Sequence, residues 1–249
     1  MIYVILLNFP KYIKKLHNYA HIFKTSYINA SCIHKKAIKS NEWINKEIWG
    51  DTTLNPKDIY FIQIGSNCGT DECANAGEPI WKDCRKNHWK GIVIEPNPYV
   101  FGDLTKNYLW NPGVKALQIA VADRNGIFDF YIPEEGKKAE VASLSEKHLE
   151  KHFVKKNIKI SVLGVTLKRL WEMVTPPKVD ILHIDVEGYD HKIILSTDFD
   201  KLIPKPKYIL YERAHISNGE INLVIKHLEK YGYFEKKKFK MDMLVELKE

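Results

Sequence analysis

Two apolar runs, each ending in residues suited to binding a ligand, constrain this chain more than any other feature. Ile59 to Ile64 stops at Gly65, and Gly69 follows after Ser66, Asn67 and Cys68. A strand feeding such a loop needs residues that tolerate positive φ and let backbone N–H groups approach a ligand without an intervening Cβ. The second run, Ile92-Val93-Ile94, leads into Glu95 and then Pro96, which prevents the strand from continuing. A carboxylate in that position can accept both hydroxyls of a ribose. The dinucleotide fingerprint would read Gly-x-Gly-x-x-Gly with an acid about 20 residues on. Here only Gly65 and Gly69 remain, and Asn67 stands where a glycine would admit a pyrophosphate. A ligand without a pyrophosphate therefore fits better. Any glycine-bearing turn from strand to helix shows part of this pattern, and Glu95 at the end of the next strand is what favours a functional reading.

Beyond residue 58 the chain alternates apolar runs with amphipathic segments, as an α/β fold with a mostly parallel sheet and helices on both faces requires. Strands are predicted at 59–64, 91–95, 114–120, 127–132, 179–184, 207–212 and 242–247. Helices are predicted at 78–88, 98–108, 145–153, 166–173, 189–196 and 219–231. Asn125-Gly126 between 116–122 and 127–131 has the chemistry of a type I′ hairpin turn. Segment 133–161 is polar and lysine-rich, and reads as a surface loop or a loop over the site. With 45% hydrophobic and 12% aromatic residues in 249, one large core is feasible. The expected division is a basic helical N-terminal extension at 1–57 and a single catalytic domain at 58–249.

The net charge of +7 is concentrated at one end, since residues 1–49 hold eight lysines against Glu42 and Glu47. The rest of the chain is near neutral, which disfavours a nucleic-acid partner, whose enzymes usually carry basic surface around the active site. Met1 to Phe9 is too short an apolar run to span a bilayer and lacks a small-residue cleavage site. Residues 1–24 could still lie against an acidic membrane surface through Tyr12, Leu16, Tyr19 and Phe23. Cys32, Cys68, Cys73 and Cys84 form no Cys-x-x-Cys pair and have no paired His spacing beside them. This argues against a zinc site or a disulfide framework and for reduced thiols in a cytoplasmic protein.

A second cluster lies in Val179-Asp-Ile-Leu-His-Ile-Asp-Val-Glu-Gly-Tyr-Asp190, another strand that ends in acids. In a parallel sheet the carboxyl ends of strands converge on one crevice, so Asp185 should meet Gly65 and Glu95. Its possible roles are holding an amino group of the ligand or accepting a proton. Glu187 reads equally well as a helix cap. His183 shares a face with Asp185 by period-two alternation, although a buried, hydrogen-bonded histidine is the commoner case. Glu212, Arg213 and His215 end the following strand and are candidates for a sugar clamp or a proton acceptor.

With these residues in view, the chain resembles the FkbM-type methyltransferase family over residues 58–247. The carriers are IQIGSNCGTD, PIWKDCRKNHWKGIVIEPNP, LQIAVAD, VTLKRL, VDILHIDVEGYDHKII and YILYE. The resemblance implies a Rossmann-like class I methyltransferase fold with a seven-stranded, mostly parallel sheet, S-adenosylmethionine as cofactor, and O-methylation of a hydroxyl on a sugar or natural product. It implies that Gly65 and Gly69 approach the methionine portion, that Glu95 holds the ribose, and that Ala120 and Val121 border the adenine. The full cofactor set is Gln63, Gly65, Ser66, Asn67, Gly69, Glu95, Pro96, Ala120, Val121 and Asp185. His183 departs from the family's usual Lys, and Gln63 from its common Asp.

Methyl transfer from a sulfonium gains mostly from alignment and desolvation. The proton-acceptor candidates are Asp185, His183, Glu212 and His215, in that order. A divalent metal that acidifies the hydroxyl is compatible with these carboxylates, but no ligand set is readable. A catalytically idle cofactor-binding module is the alternative. An NAD-dependent oxidoreductase is disfavoured by the missing glycine and by the lack of a Tyr-x-x-x-Lys pair. The acceptor is expected to be a small molecule or glycan.

Overall fold

The structure, a computed structural model, describes residue 55 and residues 57–70, 80–134, 141–152 and 154–248. Apart from residues 55 and 57, the predicted extension and its membrane-facing segment lie outside the described residues.

Five strands run parallel in the main sheet: β1 (Tyr60–Ile64), β2 (Lys90–Ile94), β3 (Val114–Leu117), β7 (Ile181–Ile184) and β8 (Tyr208–Glu212). The sheet is completed by β9 (Tyr233–Lys238) and β10 (Asp242–Leu247), giving the order β3-β2-β1-β7-β8-β10-β9. β10 runs antiparallel to both of its neighbours, β8 and β9. A second sheet holds β4 (Ala120–Val121), β6 (Asn157–Val165) and β5 (Gly126–Pro133), with β6 in the middle.

The central strands read as unbroken apolar runs because both of their faces are covered. On one face, Ile62, Ile94, Leu182 and Ile209 pack with α4 (Leu167–Val174), α5 (Asp190–Leu195), α6 (Asn218–Lys230) and the aromatic side chains of β5. On the other, Phe61, Val93, Ile181 and Leu210 pack with α1 (Trp81–Asn87) and α2 (Pro98–Tyr108). A short α3 (Glu146–Lys151) precedes β6. This is the Rossmann-like class I arrangement that the resemblance implies. The chain builds outward from β1 through β2 to β3 and then crosses to β7, which leaves a switch point between the carboxyl ends of β1 and β7.

Three expectations fail. First, 116–122 and 127–131 do not form a hairpin. Instead β6 inserts between β4 and β5, pairing parallel with Ala120–Val121 and antiparallel with Gly126–Pro133. The turn residue Asn125 accepts the N–H of Thr166, the residue between β6 and α4, at 2.9 Å. Second, β6 lies partly in the segment read as a loop, and β9 was missed. Third, Cys68 is disulfide-bonded, so the expectation of reduced thiols does not hold there. Its partner lies outside the described residues, because Cys84, the other described cysteine, is a free buried thiol.

Candidate functional site

The glycine loop is held by β2 and its carboxylate. Gly65 and Ser66 both donate their N–H to the Ile94 carbonyl, at 2.9 and 3.0 Å. The Ser66 hydroxyl donates to the Gln63 carbonyl and accepts the Ile94 N–H. Ser66 is thereby occupied as a staple between the two strand ends. Buried Glu95 accepts the Asn67 N–H and the Asn97 N–H, both at 2.8 Å, one on each oxygen. Asn67 can present its N–H in this way because it adopts the left-handed conformation at φ 46°. Burial pushes the Glu95 carboxyl up to about 7, against the opposing pull of those two N–H groups. Past Pro96, Asn97 caps α2 by accepting the Tyr99 N–H, and Pro98 occupies the first turn.

Gly65 lies at the switch point. A Cβ there would come 1.7 Å from the Asp185 carbonyl oxygen, and its φ is +81°. The Asp185 N–H reaches back to the Ile64 carbonyl at 3.0 Å. The ends of β1 and β7 are therefore locked together, and Asp185 meets the glycine loop as predicted. Gly69 plays a different part: a Cβ would strike Leu104 and Tyr108, so its smallness serves the packing of the loop on α2.

Gln63 and His183 are direct cross-strand neighbours in the β1–β7 register. Both are buried, one residue short of their strand ends. By alternation they share the face covered by α1 and α2. Burial pulls the His183 imidazole down to about 4, so it is neutral at physiological pH. Side by side in the register, the two form a neutral polar pair within the sheet. Ala120 and Val121 are buried in β4, beside Gly164 and Val165.

Acids accumulate beyond β7 and β8. Burial, then the charges of Asp185, Glu187 and Asp190, hold the Glu212 carboxyl well above its ordinary range. Asp190 is raised by burial and by Asp185 and Glu187. Glu187 does not cap α5: the capping position is Tyr189, which makes no side-chain cap. Its backbone is instead left-handed at φ 55°, uncommon for a non-glycine residue, and its carbonyl accepts the Ser143 hydroxyl at 3.0 Å.

Three histidines surround that carboxylate. His148 Nε2 lies 2.9 Å from Glu187 Oε2, in a geometry that is not a hydrogen bond. His215 Nε2 lies 3.7 Å from the same oxygen and 3.4 Å from Glu212 Oε1. The ring of His152 is 4.5 Å from that of His148 and 5.0 Å from that of His215. One donor atom from each of His148, His152, Glu187 and His215 falls within 4.8 Å of the others. Burial first, then neighbouring cations and imidazoles, draw His148 and His215 down to about 4. Two of the four were missed in the sequence, although His148-x-x-x-His152 is the spacing that puts two imidazoles on one helical face.

Of the predicted proton acceptors, the structure gathers Asp185, Glu212 and His215 beyond the strand ends and leaves His183 within the sheet. Arg213 turns away, donating to the Phe239 and Lys240 carbonyls between β9 and β10. Among the described residues, no helix is long and apolar enough to cross a membrane.

A family model described as "Methyltransferase FkbM domain" matches residues 68–235. No curated protein matches the chain. Among solved structures, "METTL16 MTase domain" is similar at 9% identity and TM-score 0.46, with 85% of this chain and 68% of that one covered. "Human methyltransferase 10 domain containing protein" is similar at 10% identity and TM-score 0.42, with coverages of 84% and 80%. Precorrin-6y C5,15-methyltransferase from Geobacter metallireducens GS-15 is similar at 14% identity and TM-score 0.40, with coverages of 85% and 91%.

Proposed function

Because the chain belongs to the FkbM methyltransferase domain family and is thus a methyltransferase, we propose that it carries the methyl group of S-adenosylmethionine to a hydroxyl of a sugar, in a glycan or a glycosylated metabolite. The observation that carries this reading is the glycine loop, which is bonded on one side to Glu95 and packed on the other against Asp185. The donor set fits the cofactor. After accepting two backbone N–H groups, Glu95 retains a lone pair on each oxygen, which suits the two hydroxyls of a ribose. Asp185 at the switch point is within reach of the methionine end or of the acceptor.

The cofactor supplies an electrophilic methyl group on a positively charged sulfur. The chain's contribution is to align the acceptor oxygen behind that carbon and to exclude water, the main sources of acceleration in such a displacement. Asp185 takes the proton that the acceptor hydroxyl releases. Gln63 and His183, the two departures from the family pattern, lie buried inside the sheet, so they do not favour an idle module.

Calorimetric titration with S-adenosylhomocysteine, with NAD as a control, tests the cofactor assignment. Micromolar binding of the first ligand, weakened in Glu95→Gln and not matched by NAD, is expected. No binding by the folded protein would overturn it. Methyl transfer to a panel of saccharides then tests the acceptor class.

A further inference from the structure

We propose that His148, His152, Glu187 and His215 form a binding site for a divalent first-row transition metal of the zinc type, at the acceptor side of the crevice. The four residues come from three separate places: α3 with the residue that caps its end, the turn after β7 and the turn after β8. Three imidazoles and one carboxylate are a borderline-soft donor set that suits zinc, cobalt or iron and not magnesium or calcium. Bonds of about 2.0–2.2 Å to a tetrahedral ion separate neighbouring donors by roughly 3.3 Å. The 2.9 and 3.7 Å separations of His148 and His215 from Glu187 Oε2 bracket that spacing.

Two further observations mark the place as built. His148 Nε2 is buried and makes no hydrogen bond, although a carboxylate oxygen is at contact distance. Beneath them, Gly188 at φ +83° lets His148 and His215 close in, since a Cβ there would come 3.3 Å from His148 Nδ1 and 3.2 Å from His215 Cβ. Glu187 is held in its left-handed backbone by Ser143, which lies on the same segment as the two helical histidines. The site rests on side-chain geometry alone. Only its role, holding and acidifying an acceptor hydroxyl, rests on the proposed methyl transfer.

The test is a Co2+ titration of full-length, chelator-treated protein, followed by visible absorption, with Zn2+ displacement and Mg2+ as the control. One Co2+ per chain is expected, with intense ligand-field bands that Zn2+ abolishes and Mg2+ does not. His152→Ala and His215→Ala should each weaken binding at least about tenfold. Circular dichroism confirms folding, and His152→Ala keeps the test valid if His215→Ala unfolds. Failure of the wild type to bind one equivalent, or wild-type affinity in the folded variants, would overturn the proposal. S-adenosylhomocysteine titration of the same samples separates the two ideas. Cofactor binding without Co2+ binding sinks the metal site alone, whereas Co2+ binding without cofactor binding leaves it standing and sinks the cofactor assignment.

Discussion

At the scale of single residues, the clearest consequence concerns Gln63 and His183, which face each other across β1 and β7 in full burial. Introducing a lysine there without an acid leaves a buried charge unpaired, which costs about 3–5 kcal/mol. His183→Lys should therefore lose that much stability in urea denaturation, and the Gln63→Asp/His183→Lys double variant should recover most of it. Additive losses would refute the pairing. The same histidine predicts a pH effect. Its folded value of about 4 lies below the ordinary 6.5, so the unfolded chain binds the proton first. This contribution to stability is present above pH 6.5 and lost as pH falls through 4. Wild type should lose up to about 3 kcal/mol more than His183→Gln between pH 7 and pH 4. Equal losses would mean that His183 is solvated. The sequence made Glu95 and Asp185 readable because each acid ends a continuous apolar run. It did not reveal the Gln63–His183 pairing, since adjacency across strands depends on a strand order that no local pattern encodes.

Among the elements, α2 was readable to its boundaries because Asn97 and Pro98 supply a capping side chain and a ring preset for the first turn. The β4–β5 region misled for an equally local reason, since Asn-Gly carries hairpin chemistry whether or not a third strand enters. β6 does enter, and its Ile158, Ile160 and Val162 alternate as a strand should, but the intervening lysine and the polar flanks hide the pattern. β9 escaped because its lysine run reads as solvated. Lysines are also how an edge strand discourages pairing with another chain, and β9 is the edge of the sheet. Helix α6 carries the most testable local device. The Ser217 hydroxyl accepts the Glu220 N–H, and the Glu220 carboxylate accepts the Ser217 N–H at 2.9 Å, a complete capping box. Ser217→Ala should cost about 1 kcal/mol in urea denaturation with no change in S-adenosylhomocysteine affinity. A loss of affinity would show that the start of α6 belongs to the site.

For the molecule as a whole, the strand order decides which residues meet. Glu95 and Asp185 are far apart in the sequence, yet the switch between β1 and β7 brings the loops that bear them against the same five residues, Gly65 to Gly69. Arg213 directly follows β8 in the same sheet but is bonded to the β9–β10 turn, so proximity to a strand end does not by itself confer a role. This separates three variants. Glu95→Gln replaces one acceptor oxygen with a donor that must face an N–H, which should weaken S-adenosylhomocysteine by about 1–3 kcal/mol. Asp185→Asn keeps the shape, and its backbone still seals Gly65, so stability should hold while turnover falls by roughly 10²–10⁴ for loss of a proton acceptor. Arg213→Ala should leave both affinity and turnover unchanged. Calorimetry and initial rates on the three proteins would then show binding and chemistry failing separately. If Asp185→Asn instead lost affinity with turnover at saturation intact, Asp185 would hold the cofactor and would not be the proton acceptor.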